Sequence, residues 1–199
     1  FHSIIRDRIT RSKYKYKERP ILVNNWEATY FDFDEDKLKP IVDEAKELGI
    51  EMFVLDDGWF GHRDDDNSSL GDWNVYEKKF PQGLKHFADY VHSKDLKFGI
   101  WFEPEMISMD SELYRSHPEY LMQVPGRQPS PSRNQYILDM TRKDVRDDIV
   151  DQVSTIIADN DIDYVKWDMN RNLSDIYSQN LPADRQGEVY HRYVLGVYD

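Results

Sequence analysis

The residues 163–171, Asp163-Tyr164-Val165-Lys166-Trp167-Asp168-Met169-Asn170-Arg171, combine an apolar run with polar groups that packing alone does not require. In an extended chain successive side chains point to opposite faces. Val165, Trp167 and Met169 then form one apolar row, while Tyr164, Lys166, Asp168 and Asn170 form a row that becomes charged toward its C-terminal end. Other apolar runs end the same way: 21–26 in Trp26, 51–55 in Asp56-Asp57-Gly58-Trp59, and 97–102 in Trp101, Glu103 and Glu105. Carboxylates, an amide and a lysine beside indoles suit a polyol, whose hydroxyls bond to the polar groups while its C–H faces stack on the rings. Cleavage of a glycoside needs two carboxyl groups about the anomeric carbon. Asp168 is the best candidate nucleophile, and Lys166 two residues earlier would favour its ionised form.

Each residue also has a plainer reading. Lys166 and Asp168 could be a surface ion pair, Asp56 and Asp57 could bond a loop or cap a helix, and Trp26 and Trp101 could be core. Glu103 and Glu105 are equally compatible with ligand contact and with structural ion pairs. Arg133, in a Pro-rich stretch, reads by itself as a solvated charge. The run Asp64-Asp65-Asp66-Asn67 lacks the glycine and terminal glutamate spacing of a calcium loop, and the six histidines show no ligand spacing.

The elements that must position these residues alternate between strand and helix. Strands are expected over 21–26, 51–57, 97–102 and 163–171. A helix is expected with Leu38, Ile41, Val42, Ala45 and Leu48 on one face, stopped by Gly49. A second starts near Pro81 and carries Leu84, Phe87, Ala88 and Val91. Others are expected near 111–116, after a capping box at Thr141-Arg142-Lys143-Asp144 with Val145, Ile149, Val153 and Ile156 inward, and after Pro182. Residues 136–140 suggest a brief extra strand. Near-continuous apolar strands alternating with helices predict a parallel sheet covered on both faces. Four βα units make the first half of a TIM (β/α)8 barrel, which needs about 250 residues when whole. An open doubly wound sheet competes, although no strand is followed by a Gly-x-Gly-x-x-Gly turn.

The 199 residues are 39% hydrophobic and 32% charged, with 13 Tyr and 5 Trp, the mix of a globular chain. A net charge of −12 argues against nucleic acid and anionic membranes as partners. Without cysteine there are neither disulfides nor thiolate metal sites. No apolar run approaches the roughly 18 residues of a membrane span. The chain starts at Phe1 and ends inside an amphipathic run, so it reads as a piece of a longer protein. Its residues 1–19 read as a connector from a preceding domain and 20–199 as the N-terminal half of a catalytic barrel.

Three motifs in barrel order, Leu55-Asp56-Asp57-Gly58-Trp59-Phe60, Gly99-Ile100-Trp101-Phe102-Glu103-Pro104-Glu105-Met106 and Tyr164-Val165-Lys166-Trp167-Asp168-Met169-Asn170-Arg171, resemble the catalytic barrel of bacterial α-galactosidases of glycoside hydrolase family 36. The resemblance covers 20–199. It implies a retaining hydrolase of terminal α-linked galactose in melibiose- and raffinose-type oligosaccharides, without cofactor or metal, cytoplasmic, and homo-oligomeric when full length. By the same resemblance Asp168 is the nucleophile, Asp56 and Asp57 hold outer galactose hydroxyls, Trp101, Lys166 and Asn170 make further sugar contacts, Trp26 is an aromatic wall and Arg133 binds sugar. The family's acid/base aspartate lies after the fifth βα unit, beyond residue 199, so the chain alone is expected to be inactive. The β-sandwich and C-terminal β-domain of such enzymes are also missing. A raffinose synthase-like galactosyltransferase, a magnesium enzyme using Asp56, Glu103 and Asp168, and a non-catalytic sugar-binding module remain the alternatives.

Overall fold

The computed structural model describes residues 1–11 and 13–199. Four parallel strands, β1 (Leu22–Asn24), β2 (Met52–Leu55), β3 (Lys97–Phe102) and β6 (Tyr164–Trp167), lie side by side in chain order. Between β3 and β6 the chain adds an antiparallel ribbon of β4 (Met106–Ile107) and β5 (Tyr136–Ile137). The expected βα alternation is present: α1 (Glu35–Glu47) and α2 (Leu84–Ser93) connect the first three strands, and α4 (Lys143–Asp159) precedes β6. The short α3 (Glu112–Ser116) lies within the β4–β5 connection, and α5 (Val189–Tyr198) follows a 3-10 turn over Ala183–Glu188.

Local chemistry explains the boundaries. Asp34 caps α1 by accepting from the Lys37 amide at 2.9 Å, acidic Glu35 and Asp36 occupy its first turn, and Gly49 follows its end at φ 77°. Leu38, Val42 and Ala45 are buried as the periodicity predicts, whereas Leu48 is exposed. Helix α2 starts at Leu84 rather than Pro81 and sets Phe87 against Phe53 of β2 and Phe98 of β3, at 5.8 and 5.6 Å between ring centres. Helix α4 buries Val145, Ile149, Val153 and Ile156, each burial worth about 1.5–3 kcal/mol. Its expected capping box does not form. The N-cap is Arg142, without a side-chain cap, and the Thr141 hydroxyl donates instead to Asp139 Oδ1 at 2.6 Å.

Register brings the chemistry-bearing ends together. Asn24 is level with Val54, Leu55 with Ile100, and Trp101 with Lys166. The residues just past these strands, Asp56, Glu103 and Asp168, therefore emerge at one edge of the sheet. Gly99 permits the close spacing of β3, since a Cβ there would stand 2.9 Å from Tyr164 Cδ1 and 3.0 Å from Val54 Cγ2.

Two expectations about the strands need correction. Residues 21–26 are not one strand: β1 stops at Asn24, and Trp26 opens a helical turn over Trp26–Thr29. The Asn24 side chain accepts from the Trp26 amide at 2.8 Å and bends the chain. The last strand is also less buried than its composition suggests. Among the described residues it pairs with β3 alone, and Trp167 and Met169 are 46% and 43% exposed beside its open edge. No helix among the described residues is long and apolar enough to cross a membrane.

Candidate active site

Asp168 leaves β6 with its amide still bonded to Phe102 O at 2.8 Å, which fixes the backbone where the side chain departs. Its Oδ2 accepts from Trp101 Nε1 at 3.0 Å and Asn170 Nδ2 at 2.7 Å, and its Oδ1 from the Met169 amide at 3.0 Å. Burial pushes this carboxyl up, but the Trp101, Asn170 and Met169 donors and the Lys166 charge outweigh it and hold Asp168 below the usual carboxylate range. All three direct donors are neutral.

Lys166 does not pair with Asp168. Its Nζ donates to Asp56 Oδ2 at 2.7 Å. Asp56 also accepts from Asn24 Nδ2 at 2.5 Å, and its amide donates to Asn25 Oδ1 at 2.8 Å. Lys166 lies on the same row of β6 as Asp168, yet its side chain reaches Asp56 at the end of β2. The direct support that the spacing suggested for Asp168 comes from Trp101 and Asn170 instead.

Asp57 turns away from the strand before Gly58, whose φ of 103° makes the turn. Arg63 grips it with two bonds, Nε to Oδ1 at 2.5 Å and Nη2 to Oδ2 at 2.8 Å. Burial raises the Asp57 carboxyl above its ordinary range against the lowering effect of Arg63. A buried, bidentate pair of this kind loses about 3–5 kcal/mol when one partner is removed.

Trp101 is buried, with Phe60 nearly parallel to it at 6.1 Å, and reaches the site through its indole N–H. Trp26 is half-buried and meets the rings of Tyr30 and Phe31 edge-on at 5.1 and 5.0 Å. Asn170 joins two carboxylates, donating its side chain to Asp168 and its amide to Glu103 Oε1 at 2.5 Å. Glu103 is buried and also accepts from Gln135 Nε2 at 2.7 Å; burial, opposed by these donors, holds its carboxyl above the usual range. Glu105 is structural, taking Trp167 Nε1 at 3.2 Å and the Tyr193 hydroxyl at 2.8 Å.

Arg133 is exposed, with no bonding partner among the described residues. It sits at φ 52°, next to Asn134 at φ 58°, in a turn closed by Ser132 and Gln135, which exchange two amide bonds of 3.2 Å. Arg171 clamps this turn from the β6 side by donating to Gln135 O at 2.7 Å and Ser130 O at 3.0 Å. Direct bonds thus pair Asp56 with Lys166 and, in a separate set, hold Asp168 with Trp101 and Asn170, while Asp57 rests on Arg63 and on a hydrogen bond from its amide to Asp56, and Trp26 and Arg133 stand on supports of their own. Sequence reasoning passed over Asn24, Asn25, Arg63, Gln135 and Arg171. The two asparagines ending β1 follow the same strand-end rule that exposed Asp168. Arg171 ends the 163–171 motif and shares that signal, whereas Arg63 and Gln135 carry none.

Among the described residues no group of three or more His, Asp or Glu side chains is disposed to hold a metal ion. Asp56, Glu103 and Asp168 already accept from a lysine and from N–H donors, a setting for charge-assisted hydrogen bonding rather than for a bare cation.

Polar side chains gathered past the carboxyl ends of parallel strands are the arrangement in which α/β enzymes keep their active sites. The Melibiase family model matches residues 1–199, and the chain belongs to that family. Over 199 residues it is 72% identical to an α-galactosidase of Lactobacillus acidophilus, a match covering 100% of this chain and 27% of the relative. It is 54% identical over 198 residues to the α-galactosidase AgaA of Geobacillus stearothermophilus, again covering 100% of this chain and 27% of the relative. The crystal structure of an α-galactosidase from Lactobacillus brevis superimposes with a TM-score of 0.97 at 53% identity, over 99% of this chain and 26% of the other. A substituted AgaA in complex with raffinose superimposes with a TM-score of 0.96 at 53% identity, over 99% and 27%. The chain spans about a quarter of the length of these relatives.

Proposed function

We propose that the chain forms the nucleophile-bearing half of the active site of a retaining α-galactosidase acting on terminal α-linked galactose in melibiose- and raffinose-type oligosaccharides. The observation that carries this reading is the setting of Asp168, just past the end of a parallel strand with Trp101, Asn170 and the Met169 amide donating to its carboxylate, which holds its pKa low. A carboxylate so held keeps its charge for attack on the anomeric carbon, with expulsion of the leaving oxygen and formation of a galactosyl ester. Asp56 with Lys166, and Asp57 with Arg63, would bind outer hydroxyls. Asn170 and Arg133 would add further contacts, with Trp26 as a wall. Trp101 would contribute mainly through its N–H at Asp168. Four parallel strands in uninterrupted chain order support the half-barrel over a doubly wound sheet, in which the strand order reverses. Residues 1–11 and 13–19, outside the sheet, fit the role of a connector.

Retaining hydrolysis requires a second carboxyl about 5 Å from the nucleophile to protonate the leaving group and then activate water. Within this chain the nearby acidic side chains Asp56 and Glu103 are committed to Lys166 and Asn24, and to Asn170 and Gln135, respectively. As the family resemblance implies, the acid/base is proposed to lie outside residues 1–199. The test is release of the phenol from an aryl α-galactoside: the full-length protein turns over and the isolated 199-residue chain does not. Turnover by the isolated chain would place the acid/base within it. Formation of galactosyl-sucrose in excess sucrose, in place of free galactose, would favour the transferase.

A further inference from the structure

We propose that Arg63 is a positioning residue of the galactoside site, fixing the Asp57 carboxylate and, through Phe31, the Trp26 wall. This rests on the reading of Asp57 and Trp26 as sugar contacts and adds what holds them. Arg63 carries no signal as a site residue in the sequence, yet it is 2% exposed and holds both Asp57 and the Phe31 ring. Its guanidinium takes both Asp57 oxygens, and its Nη1 donates to Ser68 O at 2.6 Å. The cation lies 5.5 Å from the Phe31 ring centre and 5.6 Å from that of Phe60. The Phe31 ring is the one that meets Trp26 edge-on at 5.0 Å. Lys79 closes the back of the cage, donating to Arg63 O at 3.1 Å and Phe31 O at 2.8 Å. Gly58 keeps this wall thin, since a Cβ there would stand 3.1 Å from Phe31 and 3.2 Å from Lys79 Nζ.

A planar fork can set the orientation of a carboxylate, which a point charge cannot. The groups facing Asp57 are Arg63 on its own loop, Asp56 beside it, and the Lys79 charge from the segment before α2. Asp56 and burial favour a proton on Asp57, while Arg63 favours its loss. With the fork removed, Asp57 would hold a proton at higher pH and would no longer accept two hydroxyls.

The test is the pH dependence of KM for an aryl α-galactoside in the full-length protein, comparing wild type with Arg63→Lys, Arg63→Met and Asp57→Asn. Arg63→Lys is expected to raise KM about tenfold at pH 5 and less at pH 7, with kcat within about threefold of wild type. Asp57→Asn is expected to raise KM at both pH values. If Arg63→Met fails to fold, Arg63→Lys alone carries the test. A folded Arg63→Lys protein with wild-type KM at both pH values would overturn the proposal while leaving Asp57 as a sugar ligand. An unchanged KM in Asp57→Asn would overturn the ligand assignment itself and the proposal with it.

Discussion

The ends of β2 and β6 carry the same chemical group in opposite settings. At the end of β2, a fully buried strand, Asp56 and Asp57 each face a cation, Lys166 and Arg63. At the end of β6, a half-exposed edge strand, Asp168 is held by an indole, an amide side chain and a backbone N–H, with no cation in contact. A carboxylate locked to a cation has its charge compensated and its geometry fixed, which suits the binding of hydroxyls. One held by neutral dipoles stays ionised yet keeps a lone pair available for bond formation. Position in the fold thus gives aspartates at strand ends two different settings, and under the proposed function these become binding carboxylates and a nucleophile.

The contrast can be broken most severely at Lys166, the residue that spans from β6 to the β2 end. Lys166→Met leaves Asp56 buried without its cation and is expected to lower kcat/KM by about 10²–10³-fold, measured on an aryl α-galactoside with the full-length protein. A loss of less than about threefold would mean that Asp56 does not depend on the cation. Trp101→Phe removes one neutral donor from Asp168 while keeping an aromatic ring. Because that N–H stabilises the charged form, its loss raises the Asp168 pKa. The acid limb of the kcat/KM profile should move to higher pH, with about a tenfold loss in kcat. An unmoved limb would show that Trp101 only packs. The smallest effect is expected from chelation. Cations and N–H groups already compensate every carboxylate in the cluster, so excess EDTA should leave turnover unchanged, and a loss restored by magnesium would support metal chemistry instead.

The sequence made β2, β3 and the inward faces of α1, α2 and α4 legible because near-continuous apolar runs and helical spacing are strong local signals. Asp56, Asp168 and Asn170 stand out in the sequence for the related reason that polar groups directly following an apolar strand have no packing role, and Lys166 because it interrupts such a strand. What stayed hidden depends on distance along the chain. Lys166 chooses Asp56, 110 residues away, over Asp168 two residues away, because parallel register sets the β2 and β6 ends at one edge of the sheet. Trp26 was assigned to a strand because nothing local announces that the Asn24 side chain will capture its amide. Thr141 has the spacing of a capping box, but Asp139 and Ser178 compete successfully for its hydroxyl.

The central claim is that Asp168, and not one of the cation-bound carboxylates, becomes covalently attached to the sugar. A fluorinated galactosyl fluoride that accumulates the glycosyl-enzyme, followed by peptide mapping of the full-length protein by mass spectrometry, tests this directly. The account predicts a single galactosyl label on the peptide containing Asp168 and no label in Asp168→Asn. A label on Asp56, Asp57 or Glu103, or one that persists in Asp168→Asn, would contradict it.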